Sequence, residues 1–198
     1  FVLSHVKGHL CAGFGGAIEN LGMGGVSAKS KSDIHSWSYP NHEPSKCTLC
    51  GVCAEVCPFG AITVDGGWRR DPAKCWGCGI CTTVCPTGAL TCKLELRKGL
   101  ALSAYCVMKG RKGYYLNCLV EISRTCDCDP SESEIICPDI GFLASRDPVA
   151  VDKASLDLVN ERVPDAFKKA TGIDPYEQVR YGEAIGLGST NYRLERIT

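Results

Sequence analysis

Eight cysteines stand at a spacing suited to binding iron and sulfide. They form two copies of Cys-x-x-Cys-x-x-Cys-x-x-x-Cys-Pro: Cys47, Cys50, Cys53 and Cys57 before Pro58, then Cys75, Cys78, Cys81 and Cys85 before Pro86. Three closely spaced thiolates close on three irons of a cubane, and the fourth, held by a proline turn, reaches the other cluster. The spacing therefore predicts two [4Fe–4S] clusters, one on Cys47, Cys50, Cys53 and Cys85, the other on Cys75, Cys78, Cys81 and Cys57. A zinc knuckle needs only Cys-x-x-Cys pairs and no following proline. Disulfides suit small secreted chains and leave the spacing unexplained.

Composition narrows the rest. The 198 residues carry 22 basic and 22 acidic side chains, so no charge field argues for nucleic acid or a membrane surface. No apolar run approaches the roughly 18 residues of a spanning helix. Fifteen cysteines, eight of them committed to clusters, leave an odd remainder, which points to a reducing, cytoplasmic setting.

The elements that must hold these groups follow from periodicity and punctuation. Lys46, Cys47, Gly51, Cys53, Val56, Pro58, Gly60, Ala61 and Thr63 recur 28 residues later, from Lys74 to Thr91. Ala61 to Val64 and Trp68 to Arg70 flank Asp65-Gly66-Gly67, which predicts a hairpin. Residues 44–92 thus read as an inserted α+β module similar to two-cluster bacterial ferredoxins. Around it, Phe1 to Val6, Tyr114 to Ile122, Ile140 to Leu143 and Tyr192 to Ile197 read as strands. Leu94 to Met108 and residues 175–185 read as helices, and Asp147-Pro148 reads as an N-cap opening another through about Asn160. Residues 1–43 and 93–198 are therefore expected to form one mixed-sheet α/β domain. The abrupt start at Phe1 suggests the second half of a larger fold.

The second chemical constellation is the glycine-rich stretch from His9 to His35. Gly13, Gly15, Gly16 and Gly24 permit close backbone approach, and a helix starting near Gly15 would aim free N–H groups at an anion. Lys29 and Lys31 would neutralise that anion, or lie in a solvated loop. The stretch is no dinucleotide fingerprint, because Ile18 stands where the third small residue belongs.

Several motifs together resemble the second half of the iron–sulfur proteins grouped as domain of unknown function 362. They are SHVKGH (4–9), GFGGAIENLGMG (13–24), the double cysteine run, CDC (126–128), PDIG (138–141), SRDPVAVDKAS (145–155) and GLG (186–188). That resemblance implies an α/β fold with an iron–sulfur cofactor and an upstream α/β half. The glycine segment is also similar to the nickel-pincer lactate racemase family, whose first histidine, cofactor-bearing lysine and later histidine fall on His9, Glu19 and His35. Glutamate cannot form the lysine's covalent link, so this similarity implies a cleft with two imidazoles rather than the nickel cofactor. His9, Glu19 and His35 are thus the candidate proton-handling or metal-holding residues.

Cys126, Cys128 and Cys137 form a third group, either a metal or redox site or reduced thiols lining the cleft. Cys11, Cys92, Cys106 and Cys118 read as small buried hydrophobes. The sequence as a whole predicts an iron–sulfur oxidoreductase or a subunit of one. It would take electrons from a redox partner protein and relay them to a small anionic substrate or cofactor on the α/β domain, with a flavin or deazaflavin as two-electron partner. The alternatives are a ferredoxin-like carrier with a docking domain, and a racemase-like enzyme with structural clusters. An upstream α/β half or second subunit is an expected partner.

Overall fold

The computed structural model describes residues 1–127 and 133–197. The chain divides into two compact units, Phe1–Ser27 with Arg97–Thr198, and Ala28–Leu96.

The first unit is α/β with a mixed sheet. Strand Tyr115–Leu119 is central, parallel to Val2–His5 (Leu3 opposite Leu116) and antiparallel to Gly141–Ser145 (Leu143 opposite Asn117). Period-2 alternation sends Tyr115, Asn117 and Leu119 inward and leaves Leu116 on the other face. Helix Pro148–Arg162 packs against the inward face. It starts where the Asp147 carboxylate accepts from the N–H groups of Val149 (2.8 Å) and Ala150 (3.0 Å), with Pro148 in the first turn. The core runs through Val6, Phe14, Ile18, Leu119, Ile122, Val149, Leu156 and Val179. The opposite sheet face is bare: Leu3 and Phe142 are each 68% exposed, and Leu116 38%.

The glycine-rich segment folds as a hairpin, Lys7–His9 against Gly13–Gly15. A single α-turn, Ala17–Glu19, follows and opens into a π-helix, Asn20–Gly24. Gly22 lies where a Cβ would stand 2.2 Å from the Leu100 carbonyl, so only glycine lets this turn meet helix Leu96–Met108.

The second unit makes the 28-residue sequence repeat a structural one. Gly51 (φ 84°) and Gly79 (φ 74°) adopt left-handed conformations and open the short helices Val52–Glu55 and Ile80–Thr83. Strand Asn41–His42, before the first cysteine run, pairs with Leu90–Thr91, after the second. Strand Arg69–Arg70, before the second run, pairs with Ile62–Thr63, after the first. Each half thus closes the other. Cys53, Ile62, Cys81 and Leu90 form the shared core.

Several expected elements differ. Tyr192 to Ile197 has no regular structure; Arg193, Glu195 and Arg196 are exposed there, and Tyr192 instead donates its hydroxyl to Asp157 (2.7 Å). The strand expected over Tyr114 to Ile122 breaks at Glu121, whose φ is 52°. Lys29 and Lys31 lie on helix Ala28–Trp37 rather than in a loop. Cys106 is exposed, not buried.

Candidate metal centres and a buried ionic site

In the second unit the eight cysteines line two cavities. One is bounded by Cys47, Cys50, Cys53 and Cys85, the other by Cys57, Cys75, Cys78 and Cys81. Each has a volume of about 20 Å³. Each cavity thus takes three thiols from one run and the fourth from the other run. Among the described residues no three His, Cys, Asp or Glu side chains close around a single metal ion.

The thiols are crowded. Burial pushes the Cys81 thiol up to about 12, and the neighbouring Cys78, Cys75, Cys57 and Cys53 add to it. Burial likewise raises Cys53. Four thiolates in one low-dielectric cavity repel one another unless a cationic centre is bound among them, and such a centre deprotonates its thiols outright. The cavity walls also supply donors to sulfur. The Ala61 N–H points at Cys57 Sγ (3.3 Å), and the Thr87 hydroxyl lies 3.7 Å from Cys85 Sγ. Burial alone would raise Cys85, but the N–H groups of Leu90, Thr87 and Ala89 with the Thr87 hydroxyl hold it below its ordinary value. The residues present therefore fit a thiolate-bound cluster in both cavities.

His35 belongs to this unit. It packs edge-on to Trp76 (6.4 Å, 87°), and a Cβ on Gly77 would stand 2.1 Å from its carbonyl oxygen. Burial lowers the His35 pKa, against a raising hydrogen bond that the ring donates to the Trp76 backbone. His35 thus backs the loop between Cys75 and Cys78, whereas His9 and Glu19 lie in the α/β unit.

In the α/β unit the glycine segment surrounds an internal ionic site that sequence reasoning missed. Lys7 is only 4% exposed. Its ammonium lies 3.4 Å from Glu19 Oε2 and 3.7 Å from Asp127 Oδ2. Asp127 also holds His5 Nδ1 at 2.9 Å, while His5 Nε2 lies 2.9 Å from the Val120 carbonyl oxygen. Gly15 makes room for the ion pair, since a Cβ there would stand 3.0 Å from Glu19 Oε2 and 3.2 Å from Lys7 Nζ. His9 accepts the Cys11 N–H at Nδ1 (3.1 Å), which leaves its proton on Nε2.

The helix start at Gly16 does not offer free N–H groups to an external anion. Asp152, fully buried, takes the Ala17 N–H at 2.7 Å and the Ile18 N–H at 2.8 Å, and Asn117 Nδ2 at 2.8 Å. Gly16 has no Cβ because one would stand 2.5 Å from Asp152 Oδ1. Burial raises the Asp152 pKa to about 6 despite these three donors. One sequence signal could have found it: an aspartate on the same helix face as Leu156 and Val159, both buried.

The remaining candidates are scattered. Lys29 is exposed and pairs with Asp33 (2.8 Å), and Lys31 is exposed on the same helix of the second unit. Gly13 (φ 85°) packs its backbone against Pro175, and a Cβ on Gly24 would meet Asn20 Oδ1 at 3.8 Å. Cys137 is buried on strand Ile135–Cys137, its thiol pKa raised by that burial. Cys126 is half-buried, and Cys128 lies outside the described residues.

Fold and site together define a mixed-sheet α/β protein carrying a twofold-repeated, cysteine-lined unit. The chain belongs to the family described as Domain of unknown function (DUF362), whose model matches residues 1–157. That span takes in the glycine segment, both cysteine runs and most of helix Pro148–Arg162. Among curated proteins none matches the chain. No helix among the described residues is long and apolar enough to cross a membrane.

Proposed function

We propose that the chain is an iron–sulfur oxidoreductase, or a subunit of one, relaying electrons through two [4Fe–4S] clusters to a site on the α/β unit. The observation that carries this reading is the sorting of eight thiols into two cavities, each completed by a cysteine from the other run. Cys47, Cys50, Cys53 and Cys85 would hold one cluster, and Cys75, Cys78, Cys81 and Cys57 the other. When bound, the clusters supply one-electron transfer at potentials tuned by sulfur hydrogen bonds and exposure. The chain's own part is to present those hydrogen bonds, from the Ala61 N–H and the Thr87 hydroxyl, and to exclude water with Trp68 and Trp76. Cys50 is exposed, and Trp76 and Leu49 are 61% and 45% exposed, which suits docking of a redox partner protein.

On the α/β unit, Lys7, Glu19, Asp127 and His5 form a linked set of proton donors and acceptors. Through Glu19 and Lys7 this set would deliver a proton to a substrate reduced by the relayed electrons, with a flavin or deazaflavin as two-electron partner. His9, its proton fixed on Nε2, would donate beside them. The bare sheet face around Leu3 and Phe142 is where an upstream α/β half or second subunit would pack, because sheets with parallel pairs are ordinarily covered on both faces. The exposed cluster loops also favour a second reading, a ferredoxin-like carrier docked by its α/β unit. Substrate turnover separates the two, since a carrier only passes electrons between other proteins.

The cross-run arrangement is tested by Cys57→Ser and Cys85→Ser in protein prepared without oxygen. Cys85→Ser should alter the reduced paramagnetic signal of the cluster on the first run, and Cys57→Ser that on the second. Each variant altering only its own run's cluster would refute the arrangement.

A further inference from the structure

A cavity of about 560 Å³ in the α/β unit belongs to none of the groups described so far. It opens between residues 109–114, after helix Leu96–Met108, and the turn at Gly186 and Leu187. Its walls carry four cations, Lys109, Arg111, Lys112 and Arg146, against one carboxylate, Asp147. That carboxylate is already engaged: Val149 and Ala150 donate to Oδ1, and Ser189 N–H to Oδ2 at 2.8 Å. Among the described residues none of the four cations forms an ion pair with a carboxylate. Elsewhere in the same unit cations do pair, as Lys153 does with Asp157 and Arg180 with Asp174. Four unneutralised cations around one concavity in a chain of zero net charge focus a positive potential there.

The cavity also has a flat aromatic wall. The Arg146 guanidinium lies 5.1 Å over the Tyr114 ring, and Tyr105 and Tyr115 line the same space. Guanidinium groups bind phosphate oxygens through paired N–H donors, and a guanidinium on a tyrosine makes a surface on which a planar ring stacks. The volume falls within the roughly 300–1,000 Å³ of small-molecule sites.

We propose that this cavity binds a phosphate-bearing small molecule of nucleotide size, its phosphates on Arg111 and Lys112 and its ring on the Arg146 guanidinium that covers Tyr114, whose ring also stacks with Phe1 (5.3 Å). The assignment does not rest on the clusters, because every residue involved lies in the α/β unit.

The test is calorimetric titration of the anaerobically prepared full chain with ADP, flavin mononucleotide and pyrophosphate. Saturable one-to-one binding of at least one ring-bearing ligand is expected, tighter than pyrophosphate and weakening as salt rises. Losing the stacking guanidinium in Arg146→Ala, or the charge-assisted contacts in Arg111→Ala with Lys112→Ala, should weaken that binding tenfold or more. Lys29→Ala with Lys31→Ala, elsewhere in the chain, should leave it unchanged, and iron content should be unaltered in every variant. No saturable binding of any of the three, or equal weakening by the Lys29 and Lys31 changes, would overturn the assignment.

Discussion

Asp152 offers a quantitative prediction, because one fully buried carboxylate holds the glycine segment to the central strand and its helix. Its three donors are the N–H groups of Ala17 and Ile18 and the side-chain amide of Asn117. Asp152→Ala strands all three in a site at 0% exposure. At about 1–3 kcal/mol for each unsatisfied group, partly relieved by removing a buried charge, the net loss should be roughly 3–5 kcal/mol. Asp152→Asn removes the charge and keeps one acceptor, but turns its NH₂ towards a donor, so it should cost less, about 1–2 kcal/mol. The pH dependence separates charge from shape. The folded pKa of about 6 lies above the ordinary carboxyl value of 3.8. The folded state therefore binds the proton more tightly, and stability falls as pH rises through that window, flattening above about pH 6. The full effect is roughly 3 kcal/mol, of which about 1 kcal/mol falls between pH 5 and pH 7. Hydrogen exchange on peptides covering residues 13–24 and 148–162 reads this directly, whereas tryptophan fluorescence does not, since all three tryptophans lie in the other unit. Wild type should open more readily at pH 7 than at pH 5 once corrected for intrinsic exchange, and Asp152→Asn should show no such slope. A matching slope in both proteins would refute the reasoning.

Three further outcomes follow from the same geometry. Glu19→Ala leaves Lys7, 4% exposed, with only the more distant Asp127, and should destabilise the α/β unit by about 3–5 kcal/mol in denaturant titrations. Lys7→Met with Glu19→Leu, which removes both charges, should recover most of that loss, and failure to recover would mean the pair does more than neutralise itself. Gly8→Ala places a methyl 2.0 Å from the Arg124 carbonyl oxygen and should cost at least about 2 kcal/mol, read as a lower melting temperature by circular dichroism. Phe142→Asp and Leu3→Asp, on the bare sheet face, should change the melt by no more than about 0.5 kcal/mol; a loss above about 2 kcal/mol would show that face to be packed.

The grouping of the thiols was legible from spacing, because each Cys-x-x-Cys-x-x-Cys run is shaped by a local turn, at Gly51 or Gly79. Asp147-Pro148 was legible for the same reason: a cap acts on N–H groups two and three residues away. The ionic site was not. Lys7, Glu19 and Asp127 meet only through tertiary folding, and Lys7 sits in a strand pattern where a lysine ordinarily faces water. Asp152 was hidden behind the better-known role of Asp147, although its place on an apolar helix face was available. His9 and His35 flank the glycines in sequence; His9 lies in the α/β unit and His35 on helix Ala28–Trp37 of the cysteine-lined unit. Tyr192 to Ile197 has the alternation of a strand but pairs with no strand among the described residues, and its tyrosine bonds Asp157 instead.

Iron and acid-labile sulfide counted on the same anaerobically purified sample, with the paramagnetic spectrum of its reduced form, test the whole account most directly. Two cubanes require about eight irons and eight sulfides per chain, with a reduced spectrum broadened by two interacting spins. Stoichiometric zinc with no sulfide, or about four irons with a single isolated spin, would contradict it.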